Sequence, residues 1–340
     1  MLKIFDERQL LHAPLRELHN GDWAPFSETP QRARDIVASL GATQTPRDFG
    51  EDPIRAVHDG DYVDFLKAAH ADWRASGRTG DAIGYTFPVV GRRPLDLTRI
   101  DARIGAYSFD AATPIAEGTW ETVYWSAQCA LTACDQLLTE PDRKTVFALC
   151  RPPGHHAGRD YMGGYCYLNN VAIAAQHARG QHSRRVAILD VDYHHGNGTQ
   201  DIFYRDKDVF FASIHADPKT DYPFYWGHED ETGEGPGEGT TLNLPLPQGT
   251  AWSSYKTALA RALSAITEWG ADFLILSFGA DTYAEDPISH FQLQTADFQR
   301  MGADIAALKL PTLIVMEGGY AVGDLGKNVD SFLLGIEREA

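Results

Sequence analysis

"RVAILDVDYHHGNGT", Arg185 to Thr199, sets the pattern of the whole chain: an apolar run that stops abruptly in aspartate, histidine, glycine and asparagine. Val186 to Leu189 show no polar alternation, which suits a strand covered on both faces. The same event recurs in "TVFALC" (Thr145–Cys150), "DVFFASI" (Asp208–Ile214), "DFLILSF" (Asp272–Phe278) and "PTLIVM" (Pro311–Met316). Elsewhere the apolar spacing is helical. Val123, Ala127, Ala130, Leu131, Cys134, Leu137 and Leu138 form one stripe. Leu168 to Arg179 form another that closes at Gly180, and Tyr255, Leu259, Ala262, Leu263 and Ile266 a third with Gly270 as its stop. Short buried strands alternating with helices predict an α/β fold with a central, mostly parallel sheet flanked by helices.

The 340 residues are 43% hydrophobic and 11% aromatic, enough for a large core, and no repeat or low-complexity linker divides them. A single domain over residues 1–340 is expected. It carries a long insertion at about 76–118, rich in Gly, Pro and Arg and poor in periodicity, as functional or interface loops are. "HEDETGEGPGEG" (His228–Gly239) reads as a solvated, turn-rich loop. Forty-seven acidic against 30 basic residues give a net charge of −17, and no Lys/Arg-rich run exists, which excludes nucleic acid as a partner and favours a cationic ligand. No apolar stretch approaches the ~18 residues of a membrane span, and "MLKIFDERQLLHAP" lacks a secretory pattern, so a cytoplasmic location is expected. Cys129, Cys134, Cys150 and Cys166 form no CxxC and read as buried free thiols.

Every chemically capable group follows one of the apolar runs: His155 and His156 in "RPPGHHAG", Asp192 and His194 in "DVDYHHGNGT", Asp281 after "FLILSF", and Tyr320 in "MEGGY". Ligands bind beyond the carboxyl ends of parallel strands, so these positions converge on one sheet edge. Along an extended segment Asp190, Asp192 and His194 share one side, while Val191, Tyr193 and His195 share the other. Asp192, His194 and Asp281 then form an oxygen and nitrogen donor set with an open position, the arrangement of a catalytic zinc, which Fe(II) or Mn(II) would also accept. His195 is expected to be a structural hydrogen-bonding residue. Around the other pair, Pro152, Pro153 and Gly154 exclude a regular strand or helix, so His155 and His156 can both face the reacting water. Asp190 is available to orient one of them and Asn197 the other. Tyr320, beyond two glycines, can donate its phenolic proton to a developing oxyanion.

Together, "RPPGHHAG", "GGYCYLNN", "DVDYHHGNGT", "SFGADTYAEDP" and "MEGGY", in this order over residues 151–320, resemble the zinc-dependent histone deacetylase superfamily with its arginase-like, three-layer α/β fold. "ETPQRARDI" and "VHDGDYVDFL" are similar to its N-terminal half. The length, "VDYHHGNGTQDIFY" and the 76–118 segment look most like its bacterial acetylpolyamine amidohydrolase branch. The resemblance implies one Zn²⁺ on Asp192, His194 and Asp281, His156 as general base and then acid, His155 as an electrostatic aid, and Tyr320 as oxyanion donor. It implies Gly164, Tyr165 and Tyr222 on the walls of a narrow tunnel. It also implies a structural K⁺ near Asp190, Asp192, His194, Ser213 and Ile214, and a second K⁺ near Phe203 and Val209.

The substrate so implied is a small cationic N-acetylated polyamine or diamine, cleaved to acetate and free amine in a homodimer whose insertion narrows the mouth. Asp81, Asp96, Asp101, Asp110 and Glu117, with Glu17 in another rim loop, are acidic groups available to a distant ammonium. Two other readings stand beside this one. The first is an acetyl-lysine deacetylase acting on proteins or peptides. The second is a non-catalytic module holding acetylated ligands, against which the joint presence of His155, His156, Asp281 and Tyr320 speaks. Manganese ureohydrolysis would need a second set of metal carboxylates in a DxHxD pattern, which "DVDYHHGN" lacks.

Overall fold

A computed structural model describes residues 1–88, 96–182 and 185–339. Strands β1 (Leu2–Ile4), β4 (Thr145–Ala148), β5 (Val186–Asp190), β6 (Val209–Ala216), β7 (Thr241–Leu246), β8 (Phe273–Phe278) and β9 (Thr312–Met316) form one sheet in the order β1-β4-β9-β8-β5-β6-β7. Every pairing within it is parallel. Strands β2 (Arg16–His19) and β3 (Asp22–Pro25) make a separate antiparallel hairpin.

Helices cover both faces, which makes three layers. On one side lie α2 (Asp52–Arg55), α3 (Gly60–Ala75), α4 (Ile100–Ala106), α5 (Thr119–Thr139), α6 (Asn170–His182) and α7 (Asn197–Phe203). On the other lie α1 (Pro30–Leu40), α8 (Trp252–Trp269), α9 (Thr295–Ala306) and α10 (Leu325–Glu339). The unbroken apolar runs have their cause in these two cores. Along β8, Phe273 and Ile275 pack into one, Leu274 and Leu276 into the other, and all four are fully buried. Each such side chain contributes roughly 1.5–3 kcal/mol.

Several elements differ from the expectation. The β5 ladder stops at Asp190, and α6 starts at Asn170 and runs through Gly180 to His182. Helix α8 does end at Gly270, which takes a left-handed φ of 79° and donates its N–H to Ile266 O. Strand β1 is too short to announce itself, and β7 carries Asn243 and Pro245, which a border strand tolerates. The insertion is more ordered than its composition predicts. Ile100 and Ile104, one turn apart and buried, anchor α4, and an antiparallel bridge joins Ala82 to Ile115. Residues 89–95 of that insertion lie outside the described residues. The acidic 228–239 loop is not simply solvated either, since the Glu231 carboxylate accepts from Gln200 Nε2 (2.6 Å) and Gly227 N–H (2.8 Å). All four cysteines are buried, and none is joined in a disulfide. Among the described residues no helix is long and apolar enough to cross a membrane.

Strands β4 and β5 are consecutive in the long α/β part of the chain but are separated in the sheet by β9 and β8. Their outgoing loops therefore diverge, and a crevice opens above the four central strand ends.

Candidate active site and metal centre

Beyond Asp190 the chain bends out of the sheet, yet Asp192 and His194 still meet Asp281 from the loop after β8. One ligand atom from each lies within 4.8 Å of the others. His194 Nδ1 is 3.3 Å from Asp192 Oδ1 and 3.1 Å from Asp281 Oδ2. Backbone amides hold the remaining oxygens: Gly318 N–H donates to Asp192 Oδ2 (2.8 Å) and Tyr193 N–H to Asp281 Oδ1 (2.8 Å). Gly318 has to be glycine, because a Cβ there would stand 2.4 Å from Asp281 Oδ2 and 2.6 Å from Asp192 Oδ2.

Both carboxylates are fully buried. Burial, and next the charge of Asp192, push Asp281 up to about 7. Burial acts upward on Asp192 too, but His155 and His194 outweigh it and hold that carboxyl low. Two buried carboxylates around one imidazole are costly unless a cation joins them, and an O,O,N set suits a divalent transition ion. The residues therefore fit a metal.

The two histidines of the Pro-Gly loop lie with ring centres 4.0 Å apart and are in opposite electrostatic states. His155 Nδ1 is 3.0 Å from Asp190 Oδ2. Burial disfavours its charged form, but Asp192 and Asp190 overcome this and push it up to about 10, so it is an imidazolium. His156 is held well below the usual range by burial and next by the charge of His155, so it is neutral. Asn197, the first residue of α7, fixes its tautomer. Asn197 Nδ2 donates to His156 O (3.4 Å), which turns Oδ1 toward His156 Nδ1 (2.7 Å). The Nδ1 proton is thereby engaged, and Nε2 keeps its lone pair. His195 is buried elsewhere, with Nε2 3.0 Å from Gln200 Oε1 and its ring 4.6 Å from that of His215.

These groups meet in a cavity of about 350 Å³ whose lining includes His156, His194, Gly164, Tyr165, Tyr222 and Tyr320. Gly164 (φ 54°) and Tyr165 (φ 66°) are both left-handed, and a Cβ on Gly164 would stand 2.2 Å from His156 Cδ2. The wall tyrosines are held by carboxylates: Tyr165 donates to Glu17 Oε1 (3.0 Å) and Tyr222 to Asp110 Oδ2 (2.9 Å). Tyr320 packs 5.6 Å from the Tyr165 ring with the Arg32 guanidinium 4.8 Å over its own. Burial pushes its phenol well above the ordinary value, so the proton stays on it. Tyr193, which strand parity would turn away, also lines the cavity, because extended geometry ends at Asp190.

The acidic groups considered for the rim separate clearly. Asp110 lines the cavity, but its Oδ2 already accepts from Gly164 N–H (2.7 Å) as well as Tyr222. Asp101 is instead taken up by Arg78 and Arg99, and Asp81 by Leu15 N–H (3.3 Å). Asp96 and Glu117 do not line the cavity. Glu17 is buried behind Tyr165, and burial pushes it up to about 7. Ser213 and Ile214 lie on β6, where Ser213 pairs in register with Asp190, while Phe203 ends α7 and Val209 opens β6.

Three residues that sequence reasoning did not single out belong here. Asp286 Oδ2 accepts the Tyr320 N–H (2.6 Å), and Glu317 joins Ser277 to the histidine loop. Glu317 and Asp286 sit inside "MEGGY" and "YAEDP". For Glu317 the available signal was an acid directly after a buried strand.

The chain is similar to known proteins along nearly its whole length. Residues 26–336 match the model of the histone deacetylase domain. The chain is 50% identical to acetylpolyamine amidohydrolase 1 of Pseudomonas aeruginosa, over 100% of both chains. It is 44% identical to acetylpolyamine amidohydrolase of Mycoplana ramosa, over 99% of each. The crystal structure of acetylpolyamine aminohydrolase from Burkholderia pseudomallei superimposes with a TM-score of 0.94 at 42% identity, covering 98% of both chains.

Proposed function

The chain belongs to the histone deacetylase domain family, and from that premise we infer that it is a zinc-dependent amidohydrolase that cleaves N-acetylated polyamines or diamines to acetate and free amine. The observation behind the chemistry is a neutral, tautomer-fixed His156 lining the same cavity as the protonated Tyr320 and as His194, the member of the Asp192, His194 and Asp281 cluster that reaches it. The choice of substrate rests on the full-length relatives.

Asp192, His194 and Asp281 would hold the ion. When bound, zinc would polarise the acetamide carbonyl and acidify the attacking water. His156 takes the water's proton on Nε2 as the water attacks, while Asn197 holds the Nδ1 proton in place. Tyr320 donates its hydroxyl proton to the oxygen on which negative charge develops. His156 then delivers its proton to the leaving amine. His155, held by Asp190, remains charged throughout and favours the negative transition state. Tyr165 and Tyr222, which line the cavity, would flank the methylene chain of the substrate. Among the described residues no lysine or arginine lines the cavity, and with Asp110 and Asp221 on its wall it suits a cationic chain.

We further propose a structural K⁺ near Asp190, Asp192, His194, Ser213 and Ile214, where backbone carbonyls would contribute, and a second K⁺ near Phe203 and Val209. We read the chain as one catalytic domain, cytoplasmic, and paired as a homodimer through the 76–118 insertion. Light scattering of the purified protein should then give twice the chain mass; the mass of a single chain would remove the dimer.

Substrate class is tested by kcat/KM for N-acetylputrescine, N-acetylcadaverine, acetylspermidine and an acetyl-lysine peptide with one zinc-loaded preparation. The acetylated amines should be the better substrates. A peptide turned over faster than all of them would reject the polyamine assignment in favour of lysine deacetylation.

A further inference from the structure

We propose that Glu317 is a positioning residue for this reaction, whose carboxylate clamps the tandem-histidine loop onto the sheet edge that carries Tyr320. Its side chain is completely buried. Oε2 accepts two backbone amides in succession, Gly154 N–H (2.6 Å) and His155 N–H (3.1 Å), and Oε1 accepts the Ser277 hydroxyl (3.0 Å). Pro152 and Pro153 have no N–H, so Gly154 and His155 carry the first amides after Arg151, in a loop with neither strand nor helix to receive them. A side-chain acceptor takes that place.

The clamp is itself rigid. Glu317 follows β9 directly, its N–H donates to Phe278 O (2.8 Å), and its carbonyl accepts from Arg32 Nη2 (2.7 Å). The next residue, Gly318, holds Asp192, and Tyr320 stands three residues on. One carboxylate thus sets the distance between the base and the oxyanion donor, although their loops are far apart in the chain. All three of its contacts are donors, and an isosteric amide can keep them with one reversed: its oxygen serves Gly154 and His155, and its NH₂ donates to the Ser277 hydroxyl oxygen.

This inference rests on the reading of His156 as the base, and the test separates the two. In zinc-loaded enzyme, Glu317→Ala should lower kcat for N-acetylputrescine by about 100-fold, the usual cost of a misplacement near 1 Å, with KM and zinc content unchanged. Glu317→Gln should regain most of the loss. In a His156→Ala background Glu317→Ala should cost nothing further, because the group it positions is gone. If Glu317→Ala does not fold, Ser277→Ala, which frees one side of the clamp, undergoes the same cycle with a smaller loss in kcat alone. A loss appearing in KM, a glutamine variant as poor as the alanine one, or full additivity with His156→Ala overturns the clamp. Wild-type turnover by His156→Ala would instead overturn the base assignment, and the clamp with it.

Discussion

Chelation of the metal from the purified protein should bring hydrolysis of N-acetylputrescine to background, and one equivalent of Zn²⁺ should restore it. The reason lies in what the protein supplies by its own residues. His156 is a neutral imidazole of depressed basicity, able to take a proton only from a water already made acidic, and Tyr320, in its proposed role, would donate a single hydrogen bond to the carbonyl oxygen. Neither lowers the pKa of water from near 16 to about 7, and that gap is worth many powers of ten in nucleophile concentration. The Asp192, His194 and Asp281 cluster exists at a cost, two carboxylates fully buried beside one another, that a bound cation offsets. Activity and metal content are measured on the same samples. Turnover persisting in protein with less than about one-tenth equivalent of metal would contradict the assignment, by the proportionality of rate to occupied sites.

Tyr320→Phe is expected to lower kcat by about 10²–10³-fold while changing KM little, the pattern of a donor that acts only on developing charge. The structure makes this substitution an unusually clean one. Tyr320 is fixed by contacts that leave its hydroxyl out: its N–H on Asp286 Oδ2, its ring against Tyr165, and the Arg32 guanidinium over its face. A phenylalanine would keep all of them, so the lost oxygen alone accounts for the rate. Steady-state kinetics on the zinc-loaded variant decide the matter, and an unchanged kcat would remove Tyr320 from the reaction.

Much of this was legible from the residues because the sheet is buried on both sides. "VAILD" and "FLILSF" could be recognised as strands, and the polar groups at their ends could be gathered onto one edge, since no amphipathic ambiguity blurs a run covered by two cores. Parity separated His194 from His195, although the strand it was drawn from ends four residues earlier; the bend kept Asp192 and His194 together but brought Tyr193 into the cavity as well. What stayed hidden depended on contacts between distant loops. Nothing near Asp110 in the chain indicates that Tyr222 and Gly164 will occupy its carboxylate, and nothing near Glu317 that two amides from the Pro-Gly loop will meet it. In the insertion, the glycines and arginines conceal an apolar pair, Ile100 and Ile104, that is sufficient to dock α4.

The strand order has a consequence for how the molecule comes into being on the ribosome. Strand β9, which follows every other strand of the sheet in the sequence, lies between β4 and β8. Until residues 312–316 emerge, the sheet exists only as two separate pieces, β1 with β4 and β8 with β5, β6 and β7. The histidine loop leaves the first piece and the metal ligands leave the second. Closure of the sheet by β9 therefore also completes the site, because the segment that follows it bonds to both pieces, Glu317 to the histidine loop and Gly318 to Asp192.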